Sequence, residues 1–248
     1  MRTPRLVVSL LGCALALSLA ACGYQQTAAL YRAHDDPALR AHVQGTSQAT
    51  VADPTVGQLW DAFQTSLASV TSVRVAGTVL DGTKVATVDA SGMRDRSCSK
   101  TTLTVDNQTI EISVVAGTAY VKANSAWWKS SGATTAQITA IGSRYVATTD
   151  PTMTQWGVGA ILDSFKTTET ITDGMRLIAQ KTTLIGRPVY LFSVSTKEGR
   201  MTIWVTDTAY TLLKVRLEGT TGTEELNFSE WNVPVSYTAP PPAEVIRI

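Results

Sequence analysis

Hydrophobic and polar positions change rhythm several times along this chain. Val56, Leu59, Phe63, Leu67 and Val70 recur at spacings of three and four, with Trp60 widening the stripe. This predicts an amphipathic helix over 54–70. Asp53 suits its N-cap and Pro54 its first turn. After Thr71 the period becomes two. Val73, Val75, Gly77 and Val79 alternate with Arg74, Ala76 and Thr78, and Asp81-Gly82 supplies a hairpin turn. Further strands are predicted at about 83–91, 100–106, 109–115 and 118–123, with turns at Asp106-Asn107 and Ala116-Gly117. A short helix over 134–142 ends in Gly142. Val158, Ile161, Leu162 and Phe165 then lie on one helical face, although Gly157 and Gly159 weaken its start. The last third returns to strands, at 175–184, 188–195, 201–207, 211–218 and 223–231. Pro240-Pro241-Pro242 is expected to end the ordered sheet.

The expected architecture is α+β: a curved antiparallel sheet of about ten strands with helices over one face. Composition agrees. The 248 residues are 44% hydrophobic, and 37 are Thr, a β-branched polar residue suited to half-solvated strands. No repeat and no composition break follows residue 54, so 54–248 reads as one domain.

The N-terminus reads differently. Arg2 and Arg5 precede an apolar run from Leu6 to Ala21, shorter than a membrane span and typical of an export signal. It ends in Leu19-Ala20-Ala21-Cys22-Gly23, which resembles a bacterial lipobox. Residues 1–21 are then a signal peptide and Cys22 the site of lipid attachment, with two acyl chains giving stable anchoring. Residues 22–53 show no sustained apolar period and read as a tether spanning roughly 30 Å. Loss of the signal leaves 19 basic against 20 acidic side chains, a formal charge of −1. No basic footprint for nucleic acid remains.

Candidate chemistry is sparse. Cys13 leaves with the signal and Cys22 carries lipid, so Cys98 has no disulfide partner within the chain. Both histidines, His34 and His42, fall in the tether. The folded part therefore offers no histidine for a catalytic triad or a metal site. No phosphate-binding glycine motif occurs. Glu224-Glu225 are neighbours whose side chains point apart on a strand, so they read as solvated charge rather than a carboxylate dyad. Neither catalytic residues, metal nor cofactor is assigned.

A sheet lined by small aliphatic residues and partly covered by helices leaves an apolar hollow or a packed core; composition alone does not choose. Four stretches tip the balance: Val73-Arg-Val-Ala-Gly-Thr-Val-Leu-Asp-Gly82 after the first helix, Ala116-Gly-Thr-Ala-Tyr-Val-Lys122 followed by Trp127-Trp128, Gly157-Val-Gly-Ala-Ile-Leu-Asp-Ser-Phe165, and Phe228-Ser-Glu-Trp-Asn-Val-Pro-Val-Ser-Tyr-Thr-Ala-Pro240. In this order behind a lipobox, they resemble the LppX/LprG family of actinobacterial envelope lipoproteins, which share a half-barrel with LolA/LolB-like proteins. The resemblance implies a half-barrel with helices over its concave face. It also implies a cavity that takes acylated lipid or lipoglycan and helps its transport.

Candidate wall residues are Val73, Val75, Ile110, Ile112 and Val114, and candidate lid residues are Ile161, Leu162 and Phe165. Trp127 and Trp128, read as a strand end beside Lys129, are candidates for contact with a membrane at the rim. Arg94, Arg96 and Lys100 are candidates for an anionic headgroup. The expected partners are the lipid, the membrane through Cys22, and an envelope transporter, with the protein itself a monomer on the outer face of the cytoplasmic membrane. The competing expectation is a non-enzymatic interaction module with a filled core that docks a protein partner.

Overall fold

The structure, a computed structural model, describes residues 54–81, 84–154, 157–163, 165, 176–195 and 199–247. Residues 1–53, on which the expected signal, tether and lipid-carrying Cys22 fall, lie outside the described residues.

The first helix, α1, runs Val56–Ala68. Its cap is not Asp53 but Thr55. The Thr55 hydroxyl accepts from the Gln58 N–H at 3.3 Å, and Gln58 Oε1 accepts from the Thr55 N–H at 2.8 Å. Two of the helix's unpaired donors are satisfied this way, which moves the start past Pro54. Leu59, Trp60, Phe63 and Leu67 face inward, as the periodicity predicts.

A meander follows: β1 Ser72–Asp81, β2 Lys84–Met93, β3 Cys98–Val105, β4 Gln108–Val115 and β5 Thr118–Ala123. Three short helices and one strand interrupt it: α2 Ser125–Ser130, α3 Thr135–Ile141, β6 Tyr145–Thr148 and α4 Pro151–Thr154. Helix α5, Val158–Asp163, leads to a second meander of β7 Arg176–Leu184, β8 Arg187–Ser195, β9 Gly199–Thr206, β10 Leu212–Gly219 and β11 Gly222–Ser229. A 3-10 turn at Pro242–Glu244 precedes β12, Val245–Arg247.

These make one curved, open sheet of 12 strands in the order β12-β6-β5-β4-β3-β2-β1-β11-β10-β9-β8-β7. Every pairing is antiparallel except β12 with β6. The two meanders meet at a single seam, where Arg74 to Thr78 of β1 pair with Ser229 to Glu225 of β11. Gly77 makes that seam possible: a Cβ there would sit 1.9 Å from the Glu225 carbonyl oxygen.

The sequence predicts about ten strands, and the two extra ones are β6 and β12. Four residues between helices give β6 too little alternation to read. β12 corrects the expectation that the Pro240–Pro242 run ends the sheet. Beyond β11 the chain crosses strands β1 to β3 as a strap. Asn232 Oδ1 accepts from the Thr71 N–H at 2.8 Å, the Ser72 hydroxyl donates to the Val233 carbonyl at 2.6 Å, and the Tyr237 and Ser91 hydroxyls meet at 2.5 Å. The strap ends by pairing with β6 in parallel, which protects that edge.

Side chains alternate across the sheet. One face carries ion pairs: Arg74 with Asp89 at 2.8 Å and Glu230 at 3.2 Å, Lys100 with Glu111 at 3.0 Å, and Lys214 with Glu225 at 2.8 Å. The other is apolar and shares one core with α1 and α5.

Candidate binding face

The inner wall can be followed strand by strand through the register. Val73 and Val75 of β1 stand opposite Gly92 and Ala90 of β2. Ala90 stands opposite Thr101 of β3, and Thr101 opposite Ile112 of β4. Leu103 pairs with Ile110, and Ser99 with Val114. All five wall residues predicted from sequence are buried and belong to one apolar cluster. Across the seam, Val75 pairs with Phe228 and Gly77 with Leu226, so the wall continues onto the second meander. Ile203 and Phe192 extend it.

Two helices sit on this wall. From α1, Trp60 meets Phe63 at 5.3 Å and Phe192 at 5.7 Å, and Phe63 meets Phe192 at 6.2 Å between ring centroids. From α5, Leu162 is fully buried, Ile161 is half-buried, and Phe165, just past the helix, meets Phe228 at 5.9 Å. The Gln64 amide donates to the Phe165 carbonyl at 3.2 Å, tying the two helical pieces together. The three candidate lid residues are therefore brought onto the same cluster as the candidate wall. Gly159 explains a puzzle of the sequence. A Cβ there would lie 2.6 Å from the Arg94 carbonyl, so a residue that weakens the helix lets it lie close to the β2–β3 turn.

Phe192 and Phe228 carry much of the packing, yet the sequence marks neither as a wall residue. Each is one apolar residue in an alternating strand, and only the three-dimensional register brings it to α1 and α5. Thr101 is also new. Its hydroxyl is buried mid-wall with no hydrogen-bond partner among the described residues. Alternation with Ser99 and Leu103 is the signal that points it inward.

The aromatic pair departs from expectation. Trp127 and Trp128 lie on α2, not on a strand end. Asn124 caps that helix, its side-chain oxygen accepting from the Trp127 N–H at 2.9 Å. Trp128 is only 6% exposed and Trp127 half-buried, with the two rings edge-to-face at 4.8 Å. The strand-end geometry that would expose one ring is absent.

The cations are partnered. Arg96 meets Asp163 at 2.7 Å and Arg94 meets it at 3.8 Å. Arg94 also donates to the Leu67 carbonyl, linking the end of α1 to α5. Arg94, Arg96 and Asp163, with Val70 and Met93, line an open depression of about 450 Å³. Lys100 is bridged to Glu111, which also accepts from the Tyr145 hydroxyl at 3.3 Å; the Glu111 partner holds the Lys100 pKa above its ordinary value. Cys98 is half-buried under the strap, its thiol 3.5 Å from the Val235 carbonyl.

Glu224 and Glu225 do point apart, but they differ in setting. Glu225 pairs with Lys214. Glu224 is half-buried and accepts from the Leu80 N–H at 2.9 Å, where β1 runs past its pairing with β11. Burial pushes its carboxyl pKa up. Among the described residues no helix is long and apolar enough to cross a membrane.

No family model matches the chain, and no curated protein sequence matches it significantly. Solved structures do. LprF from Mycobacterium bovis superposes with a TM-score of 0.53 at 18% identity, over 75% of this chain and 96% of that one. The Mycobacterium tuberculosis lipoprotein LppX gives a TM-score of 0.46 at 18% identity, over 75% of this chain and 99% of that one. The likeness to LprF shows the fold, and the resemblance to the LppX/LprG lipoproteins read from the sequence holds at that level.

Proposed function

We propose that this chain is a membrane-tethered lipoprotein of a bacterial cell envelope that holds acylated lipid, or lipoglycan, against the inner face of its sheet. The observation that carries this is the continuous apolar wall from β4 through β1 to β9, roofed by two short helical pieces rather than a second sheet. Its fold is that of LprF, and a lipobox-like Leu19-Ala20-Ala21-Cys22 precedes it.

The mechanism is passive partition. Val73, Val75, Ile110, Ile112 and Val114 form the wall. Ile161, Leu162 and Phe165 form the movable cover, since α5 has only six residues and a short helix has little stability of its own. Acyl chains take the space between cover and wall, and the headgroup stays at the rim. Burying a C16 chain contributes on the order of 10 kcal/mol before ordering costs. The two acyl groups on Cys22 hold the protein at the outer face of the cytoplasmic membrane, where it hands lipid to a transporter. No catalytic step is part of this reading.

Lipid mass spectrometry tests it. The full chain is expressed in an actinobacterial envelope, purified and extracted with organic solvent. A stoichiometric acylated species beyond the Cys22 anchor is expected. An empty extract from well-folded protein overturns the carrier reading.

A second reading has its own support. Trp60, Phe63 and Phe192 interlock under α1, which is how a filled core looks. A protein of this fold with a permanently packed interior acts as a docking module for an envelope partner. The same extraction separates the two.

A further inference from the structure

The hairpin from β7 to β8 turns in two residues, Ile185 and Gly186, between the paired Leu184 and Arg187. Both have positive φ, +49° and +73°, as a type I′ turn requires. Such turns favour Asn-Gly or Asp-Gly, because Asn and Asp tolerate the left-handed region. Isoleucine is a poor choice, since its branched Cβ crowds the backbone there. The same sheet turns at Asp106-Asn107 between β3 and β4, and at Ala116-Gly117 between β4 and β5. Asp106 and Ala116 adopt the same handedness, with φ of +52° and +48°. Only the β7–β8 tip places a large branched residue there among these three.

Ile185 is also 95% exposed, against 47–58% for Val85, Ile178 and Val233. It therefore strains its turn and gains nothing from packing. Strain of this kind, held where the fold does not need it, points to a role outside the fold. Arg187 lies beside the tip and is exposed, as is Pro188. One apolar point next to a guanidinium matches a phospholipid interface, with the side chain among acyl chains and the cation at phosphate level.

We propose that the Ile185 tip of the β7–β8 hairpin inserts into the interface of a phospholipid bilayer and sets how the domain sits on it. The proposal rests on the tethered-envelope reading, because residues 22–53 keep the tip within reach of a bilayer at high effective concentration. It assigns the membrane contact to the opposite end of the sheet from α2 with its Trp127 and Trp128. Strand directions require this: β5 runs towards α2, while β7 runs the other way. Transfer of one isoleucine out of water changes partition by roughly ten- to a hundred-fold.

The test uses the full chain in vesicles of phosphatidylethanolamine and phosphatidylglycerol. Cys98→Ser with Thr183→Cys places an NBD fluorophore beside the tip, and the same chain without the new cysteine corrects for label elsewhere. Doxyl-labelled lipids should quench this probe several-fold more than one at Val85→Cys, at the far end. Adding Ile185→Asn should abolish the difference. Asparagine suits the turn, so thermal unfolding of Ile185→Asn at or above the parent temperature certifies the fold. Equal quenching with Ile185 and Ile185→Asn, or none with either, overturns the proposal. Lipid extracted from the same preparations reports on the carrier reading separately.

Discussion

Truncating Phe63 to alanine probes whether the space under α1 is packed or open. Phe63 is fully buried between Trp60 and Phe192. A buried phenylalanine removes roughly 150–250 Å² from water, and its loss leaves a cavity lined by two other rings. Phe→Ala at such a site costs about 3–5 kcal/mol, and each lost ring pair adds to the cost within that range. Phe63→Leu, which keeps most of the volume, should cost under about 1.5 kcal/mol. Urea unfolding followed by Trp fluorescence measures both. For a domain of this size the alanine variant should melt about 6–20 °C lower. Under the carrier reading the new cavity joins the acyl site, so added lipid should restore part of the loss in Phe63→Ala and little in Phe63→Leu. A loss below about 1 kcal/mol for Phe63→Ala would refute the packing argument. A full loss that no lipid repairs would favour the docking module.

Gly77→Ala should be among the worst single-methyl additions in the chain. Its Cβ meets the Glu225 carbonyl at 1.9 Å, backbone that cannot swing aside, so a loss of about 2 kcal/mol or more and poor expression are expected. Glu224 should make stability fall as pH rises. Its folded pKa lies above the ordinary 4.5, so the native state binds more protons in that window, and the loss is complete once pH exceeds the folded value. Glu224→Gln should flatten this part of the pH profile in urea titrations and stabilise the protein modestly at pH 7; an unchanged profile would show the carboxyl to be well solvated. The Arg96–Asp163 pair is half-exposed, so a double-mutant cycle should give a coupling below about 1 kcal/mol despite its 2.7 Å distance.

Much of this fold is legible in the sequence because its strands have one wet and one dry face. Val73, Val75 and Val79 announce β1, and Ile110, Ile112 and Val114 announce β4, since period-two alternation is what a half-buried strand needs. The α1 cap was legible too, as Thr55-x-x-Gln58, but Asp53-Pro54 offered a competing start of similar quality. Trp127-Trp128 misled because bulky aromatics favour strands, while the Asn124 cap favoured a helix. β12 hid behind three prolines: a proline run ends regular pairing locally but does not prevent the chain from pairing again. The candidate face was only half legible. Alternation reveals which residues turn inward. It does not reveal what fills the space in front of them, because Phe192 and Phe228 reach Trp60, Phe63 and Phe165 only through pairings made far along the chain.

The seam between the meanders has a consequence for the order of assembly. β1 is among the first segments to leave any channel that delivers the chain N-terminus first, but its β11 partner lies about 150 residues further on. Closing so long a loop is slow. Until then the first meander has two unpaired edges, β1 and β6, because β12, which covers β6, lies further along the chain still. A chain stalled or clipped before β11 therefore cannot finish its sheet, however well its first half is formed. The timetable of folding is thus set by a five-pair ladder near the C-terminus, which keeps the chain threadable until almost all of it has emerged.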